Sequence, residues 1–134
     1  MSDTQAEVLQ PHGSLNAVST ALVALHKEQF GRGPTRARTN FAGTDTLVCI
    51  LHDALLPAER AMVEMGESQR VRESRTWFQV ATAQRFIDTV EAIIDRTVVS
   101  FASATDPEHG VVMEIFVLAP LLAPGGSEVK LKSA

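Results

Sequence analysis

The feature that most restricts how this chain can fold is a forced break, Gly31-Arg32-Gly33-Pro34, between two incompatible hydrophobic periods. Before it, Leu15, Val18, Leu22 and Leu25, followed one turn on by Gln29 and Phe30, fall at helical spacing and predict a helix over 14–30 with one buried stripe. After it, Thr35, Ala37, Thr39 and Phe41 alternate with Arg36, Arg38 and Asn40, the period of a half-buried strand whose outer face is basic. Glycine reaches the left-handed conformation that closes a helix, and Pro34 has no N–H to continue one. Lys27, Arg32, Arg36 and Arg38 are therefore expected around one corner, with His26 beside them. That corner is the one basic concentration in a chain of net charge −4.

The remaining elements follow from the same kind of punctuation. Ser14 is a plausible N-cap for the first helix. A short turn over 42–45 joins the arginine strand to a second strand, Thr46 to His52, which is apolar at nearly every position and so belongs in the middle of a sheet. Pro57 opens a short helix to about Met65, with Gly66 closing it. A long helix is predicted from about Ser68 to Arg96, with Val71, Ser74, Phe78, Ala81, Phe86, Val90, Ile93 and Ile94 as its buried face. Two further strands, Val98 to Ser103 and Val111 to Leu118, flank a turn-rich loop over 104–110.

The order αββααββ predicts an α+β fold, a four-stranded antiparallel sheet with helices on one face. Residues 1–13 and 119–134 lack periodicity and are expected to be a flexible lead-in and tail around a single domain over 14–118. A long helix of roughly 40 Å outruns strands of about 27 Å. Trp77 and Phe78 lie near the overhang, so a second copy is expected to cover it, in a homo-oligomer and most simply a dimer.

Composition excludes several classes. With 134 residues, 45% hydrophobic and 21% charged, the chain can bury a core without staples and is far from disordered composition. Its acidic balance argues against nucleic acid as a partner. A single cysteine, Cys49, excludes an internal disulfide and a cysteine-cluster zinc site, and its apolar strand makes it a buried, inert thiol. The first eleven residues do not read as a secretory signal, and no stretch approaches the roughly 20 apolar residues needed to span a bilayer. The expected location is cytoplasmic, without direct membrane insertion.

Among candidate sites, Arg36 and Arg38 project about 7 Å apart from one strand face. With Arg32 they suit a phosphate, a carboxylate or an acidic partner surface, the bland alternative being ion pairs with nearby acids. Gly31 and Gly33 follow a helix and precede a strand, the reverse of the order in which helix N-termini cradle phosphate. Asp106, Glu108 and His109 have metal-ligand chemistry but sit in a hairpin loop, where facing water is the simpler role, so no metal and no cofactor are assigned. His26 and His52 lie on separate elements. Glu59, Arg60, Arg70, Arg72, Glu73 and Arg75 read as solvated or intersubunit charge pairs. No nucleophile or acid/base set emerges, so no catalytic residue is named.

The runs His26-Lys27-Glu28, Phe30-Gly31-Arg32-Gly33-Pro34-Thr35 and Arg36-Ala37-Arg38-Thr39 resemble the signature of the MpsC family of small bacterial proteins. Leu56-Pro57-Ala58-Glu59-Arg60, continuing to Glu64, Gly66 and Val71-Arg72, and the strand Glu114-Ile115-Phe116-Val117-Leu118 follow in the matching order. The resemblance covers 14–118, and the tail from Ala119 departs from it. It implies the soluble component of a sodium-translocating membrane-potential-generating system, linked by that naming to cation or bicarbonate transport, and it brings no catalytic residues. The function expected is a non-enzymatic accessory or regulatory subunit, peripheral to the inner membrane through a transport-protein partner that contacts Arg32, Arg36, Arg38, Lys27 and His26. The alternative is a homo-oligomeric sensor that binds a small anionic ligand in a pocket between the long helix and the sheet.

Overall fold

A computed structural model describes residues 12–121 and 129–131. Most of the expected lead-in and tail lies outside the described residues. The first helix, α1, runs His12–Phe30 and buries Val18, Leu22 and His26. It starts two residues before the expected Ser14 cap, so Ser14 is inside the helix. Its end is where the sequence put it. Gly31 takes φ +81 and donates its N–H to the Lys27 carbonyl at 2.7 Å. At Gly33 a Cβ would lie 3.2 Å from both the Val23 carbonyl oxygen and the Lys27 Cβ, so the chain turns back closely over α1 and a side chain there would crowd it.

Strands β1 (Arg36–Phe41) and β2 (Thr46–His52) form the expected hairpin. A short helix, α2 (Pro57–Glu64), begins with Pro57 at its first position, and the Glu59 carboxylate accepts the Leu56 N–H at 2.8 Å, satisfying one donor at the helix entry. The long helix, α3, spans Ser68–Ile94 and stops two residues before the expected Arg96, where Asp95 adopts the left-handed conformation at φ 58. Aspartate tolerates that region better than most residues. Strand β3 (Val98–Asp106) runs three residues past the expected Ser103, shortening the turn to β4 (Val111–Leu118).

The sheet is antiparallel with order β1-β2-β4-β3, so the two hairpins join through their second strands. Helices α1 and α3 pack side by side on one face, α1 over β1 and α3 over β3. Between them and the sheet lies the core of Val18, Leu22, Leu47, Leu51, Phe86, Val90, Val112, Phe116 and Leu118. The architecture is α+β, as the element order requires.

The face of α3 departs from the expected stripe. Val71, Phe86 and Val90 are buried, but Ser74, Phe78 and Ala81 are exposed and the fourth buried residue is Arg75. Helix α2 packs against α3, and Ser68 and Arg72 near the start of α3 reach Glu108 in the β3–β4 turn. Trp77, 76% exposed, stays uncovered.

Candidate functional site: a polar cavity under two helices and an open sheet face

The buried side of the sheet carries a row of polar groups across all four strands. Register places Thr39 beside Cys49, Cys49 beside Glu114 and Glu114 beside Ser103. Each needs a partner, because a polar group in a low-dielectric interior costs free energy unless it is hydrogen-bonded. Ser19 on α1 bonds Thr39 at 2.7 Å. His26, one turn before the end of α1, shares a hydrogen bond with Glu114, Nε2 to Oε1 at 2.8 Å. Both side chains are almost fully buried. Burial pushes the Cys49 thiol up to about 11.

A buried ion pair lies beside that hydrogen bond. Arg75 donates from Nε to Glu59 Oε2 at 2.8 Å, from Nη2 to Glu59 Oε1 at 2.6 Å and from Nη2 to the Ala54 carbonyl at 2.8 Å. Its guanidinium carbon stands 3.9 Å from the centre of the Phe30 ring. The expectation that Glu59 and Arg75 are solvated or intersubunit charges is therefore corrected: they form an internal ion pair. The reason is spatial, since α2 folds back onto α3 and brings Glu59 against Arg75.

These two pairs border one cavity at the seam of α1, α3 and the sheet. His26, Arg75 and Glu114 line it with the rings of Phe30, Phe78, Phe86 and Phe101 and the polar ends of Gln29, Gln79, Thr82 and Ser103. It is narrow, a cavity of about 20 Å³, room for about one water. His26 Nδ1, Arg75 Nη1 and Glu114 Oε2 are buried without a hydrogen-bond partner. Three of the four unpaired buried side-chain polar atoms among the described residues thus belong to groups lining this cavity.

The arginine corner divides. Arg32 is held inward, with Nη1 on the carbonyls of Asp53 at 2.8 Å and Leu55 at 3.0 Å and Nη2 on the Asp53 carboxylate at 2.8 Å. That contact holds the Asp53 carboxyl below its ordinary value and pins the loop after β2. Arg60 reaches the same carboxylate. His26 faces the core, Lys27 is exposed on α1, and Arg36 and Arg38 stand on the opposite, outer face of the sheet. There they border a shallow depression with Asn40, Ile50 and His52, and neither has an ion-pair partner among the described residues. His26 and His52 are thus on opposite sides of the sheet.

Among the described residues no helix packs on the outer face. Its outward positions on β2 and β4 include Val48, Ile50, Met113, Ile115 and Val117, with Ile115 at 37% and Val117 at 39% exposure. No acidic residue occupies an outward position on β1, β2 or β4. His109 pairs with Asp106 at 2.9 Å in the β3–β4 turn, lowering the Asp106 carboxyl, and the described residues bring no three His, Cys, Asp or Glu side chains into a metal-holding group. Phe78 packs on Phe30, ring centres 5.3 Å apart, at the cavity rather than beside Trp77 alone.

Sequence reasoning missed Glu114 and Arg75 as internal charges. Glu114 had a visible signal, a carboxylate interrupting the apolar run of β4 at an inward position of the alternation. Arg75 had a weaker one, its spacing of four residues after the buried Val71.

No helix among the described residues is long and apolar enough to cross a membrane. Comparison with curated proteins finds no match, and comparison with solved structures finds none. The family model described as "Na+-translocating membrane potential-generating system (MpsC)" matches residues 13–120. That span takes in α1 through β4, including the buried His26–Glu114 and Arg75–Glu59 pairs and the arginine strand, and the chain belongs to the MpsC family.

Proposed function

We propose that this chain is a non-enzymatic accessory or regulatory subunit that docks on a protein of a Na+-translocating membrane system. The observation that carries the reading is the uncovered sheet face, apolar along β2 and β4 and edged by Arg36 and Arg38. Exposed apolar patches rimmed by charge mark protein contacts, and arginine forks favour carboxylates. The family's printed description supplies the membrane system as context. The occupant that fits is an apolar surface with acidic residues along one edge, on a cytoplasmic loop or subunit of that system. The same arginines would serve a free anion in the depression that they share with Asn40 and His52.

Tagged protein and its Arg36→Glu/Arg38→Glu variant, passed over detergent-solubilised membranes, separate these readings. Retention of an ion-transport subunit by the wild type and its loss in the variant support docking. Equal retention overturns the role of the arginines. Retention by neither, with inorganic phosphate stabilising only the wild type, favours the anion sensor. Trp77 and Val80, one turn apart on α3 and 76% and 70% exposed, form the surface we assign to self-association. Trp77→Glu should convert a dimer to a monomer by light scattering, and an unchanged mass would refute that assignment.

A further inference from the structure

Strand β3 closes one side of the sheet, and among the described residues nothing pairs with its outer edge. The end of β4 shows which of its backbone groups are free. Leu118 donates its N–H to the Asp45 carbonyl on the β2 side at 2.7 Å, and Ala119 donates to the Thr97 carbonyl on the β3 side at 2.9 Å. Backbone direction alternates along a strand, so Val111, Met113, Ile115 and Val117 address β3, where their register partners are Asp106, Ala104, Ala102 and Ser100. The N–H and carbonyl groups of Phe101, Ser103 and Thr105 therefore point toward the open edge. Natural edges are blunted by charge, proline or bulges. A bulge and the Glu91 carboxylate, which accepts the Val98 N–H at 2.8 Å, occupy one end of this one, but no charge or proline lies between Val98 and Thr105. The opposite edge, β1, carries Arg36 and Arg38.

The helix above this edge is open on the same side. Phe78, Thr82 and Arg85 of α3 face α1 through Phe30, Gln29 and Glu28, while Phe86 stacks on Phe101 of β3, ring centres 5.8 Å apart. With about 3.6 residues per turn, the flank turned away from α1 carries Val80, Ala83 and Ile87, and Val80 is 70% exposed. Glu91, one turn further along that flank, reaches Val98 and so places the flank over the β3 edge. Helices packed about 9–10 Å apart over four strands spanning about 14 Å put α3 about 2–3 Å inside the edge. A second copy added at the strand spacing of about 4.8 Å then sets the two α3 helices about 9–10 Å apart, the distance of packed helices.

We propose that β3 is the seam of a two-fold homodimer, in which two copies join edge to edge into one eight-stranded antiparallel sheet. This rests on the self-association assigned above to Trp77 and Val80 and specifies its geometry. With the axis beside Ser103, that residue pairs with its own copy, Phe101 pairs with Thr105 of the second copy, and the free groups of all three find partners. Above the seam, Val80 meets Ile87 of the second copy across antiparallel α3 helices. The edge suits its own copy because it has no like charges to oppose, whereas β1 paired on itself would bring arginines together. Strand pairing sets direction and register, and the helix flank adds apolar area.

Amide hydrogen exchange on the wild-type protein reads the seam directly, at a concentration where light scattering gives twice the chain mass and again after dilution to the monomer. Ser100, Ala102 and Ala104 bond to β4 in either state and serve as controls. The amides of Phe101, Ser103 and Thr105 should be protected in the dimer and exchange roughly tenfold or more faster in the monomer. Ser103→Pro removes an outward N–H and leaves every N–H bonded to β4 in place. It should give a monomer in which Ser100 and Ala102 stay protected. A dimer whose Phe101, Ser103 and Thr105 amides remain fast, or one that Trp77→Glu dissolves and Ser103→Pro does not, overturns the edge pairing and leaves self-association standing. A monomer at every concentration overturns both; slow exchange of the three amides in that monomer would assign the edge to a segment of the same chain. If Ser103→Pro fails to fold, exchange on the wild type still decides the matter.

Discussion

Arg75→Ala tests whether the link between α2 and α3 is an internal ion pair or an ordinary surface contact. The side chains of Arg75 and Glu59 are only 5% and 12% exposed, so removing the guanidinium strands a carboxylate with little water to replace it. Breaking a buried pair in this way costs about 3–5 kcal/mol. Loss of the bond to the Ala54 carbonyl and of the Phe30 contact belongs within that range, since they share the same side chain. For a domain of this size each kcal/mol moves Tm by roughly 4 °C, so the midpoint should fall by roughly 12–20 °C. Urea unfolding with an unchanged slope provides the free energy directly. The double variant Arg75→Met/Glu59→Leu should cost less than Arg75→Ala, because it leaves no unpaired charge, although it also loses the bond from Glu59 to the Leu56 N–H. A cost below about 1 kcal/mol for Arg75→Ala, the range of exposed pairs, would refute the reasoning.

Two further outcomes follow from groups away from that link. With its thiol pushed up to about 11 by burial, Cys49 should resist labelling by a thiol reagent at pH 8 while the protein is folded and react fully in urea; rapid labelling of folded protein would contradict its placement. Asp53 is held below its ordinary value first by the hydrogen bond from Arg32, Glu28 likewise by Arg85 and Asp106 by His109. A carboxyl lowered in the folded state stabilises above its unfolded value of about 3.9 and loses that contribution as pH falls through the folded value. Stability should therefore drop below about pH 4, and Asp53→Asn should lose less between pH 5 and pH 2 than the wild type does. An equal loss in both proteins would remove Asp53 from the acid limb.

The elements themselves were legible because local chemistry decides them. Gly31 closes α1, Pro57 opens α2, and the alternation in 35–41 and the apolar run in 46–52 can hardly be read as anything but strands. The errors at boundaries have equally local causes. Asp95 ends α3 by taking a conformation that its sequence neighbours do not announce, and β3 extends to Asp106 because pairing with Val111 at the start of β4 carries it there. The candidate sites were far less legible. Arg32 reads as one more member of a basic corner until the loop after β2 places three acceptor oxygens around it. Glu59 and Arg75 read as surface charges because their partners are 16 residues apart and on different helices.

The amino-acid sequence by itself determined which segments are helix and strand, the α+β class, and the arginine-bearing outer face of β1, since each rests on periods and caps spanning a few neighbouring residues. The three-dimensional packing decided that β2 pairs with β4, that His26 meets Glu114 across 88 positions of the chain, and that Arg75 comes to border the same cavity. Periodicity shows which face a residue occupies but not what that face meets. Whether a charge ends in water or against a buried counter-charge depends on the meeting of distant elements, and that is where the chemistry of this protein resides.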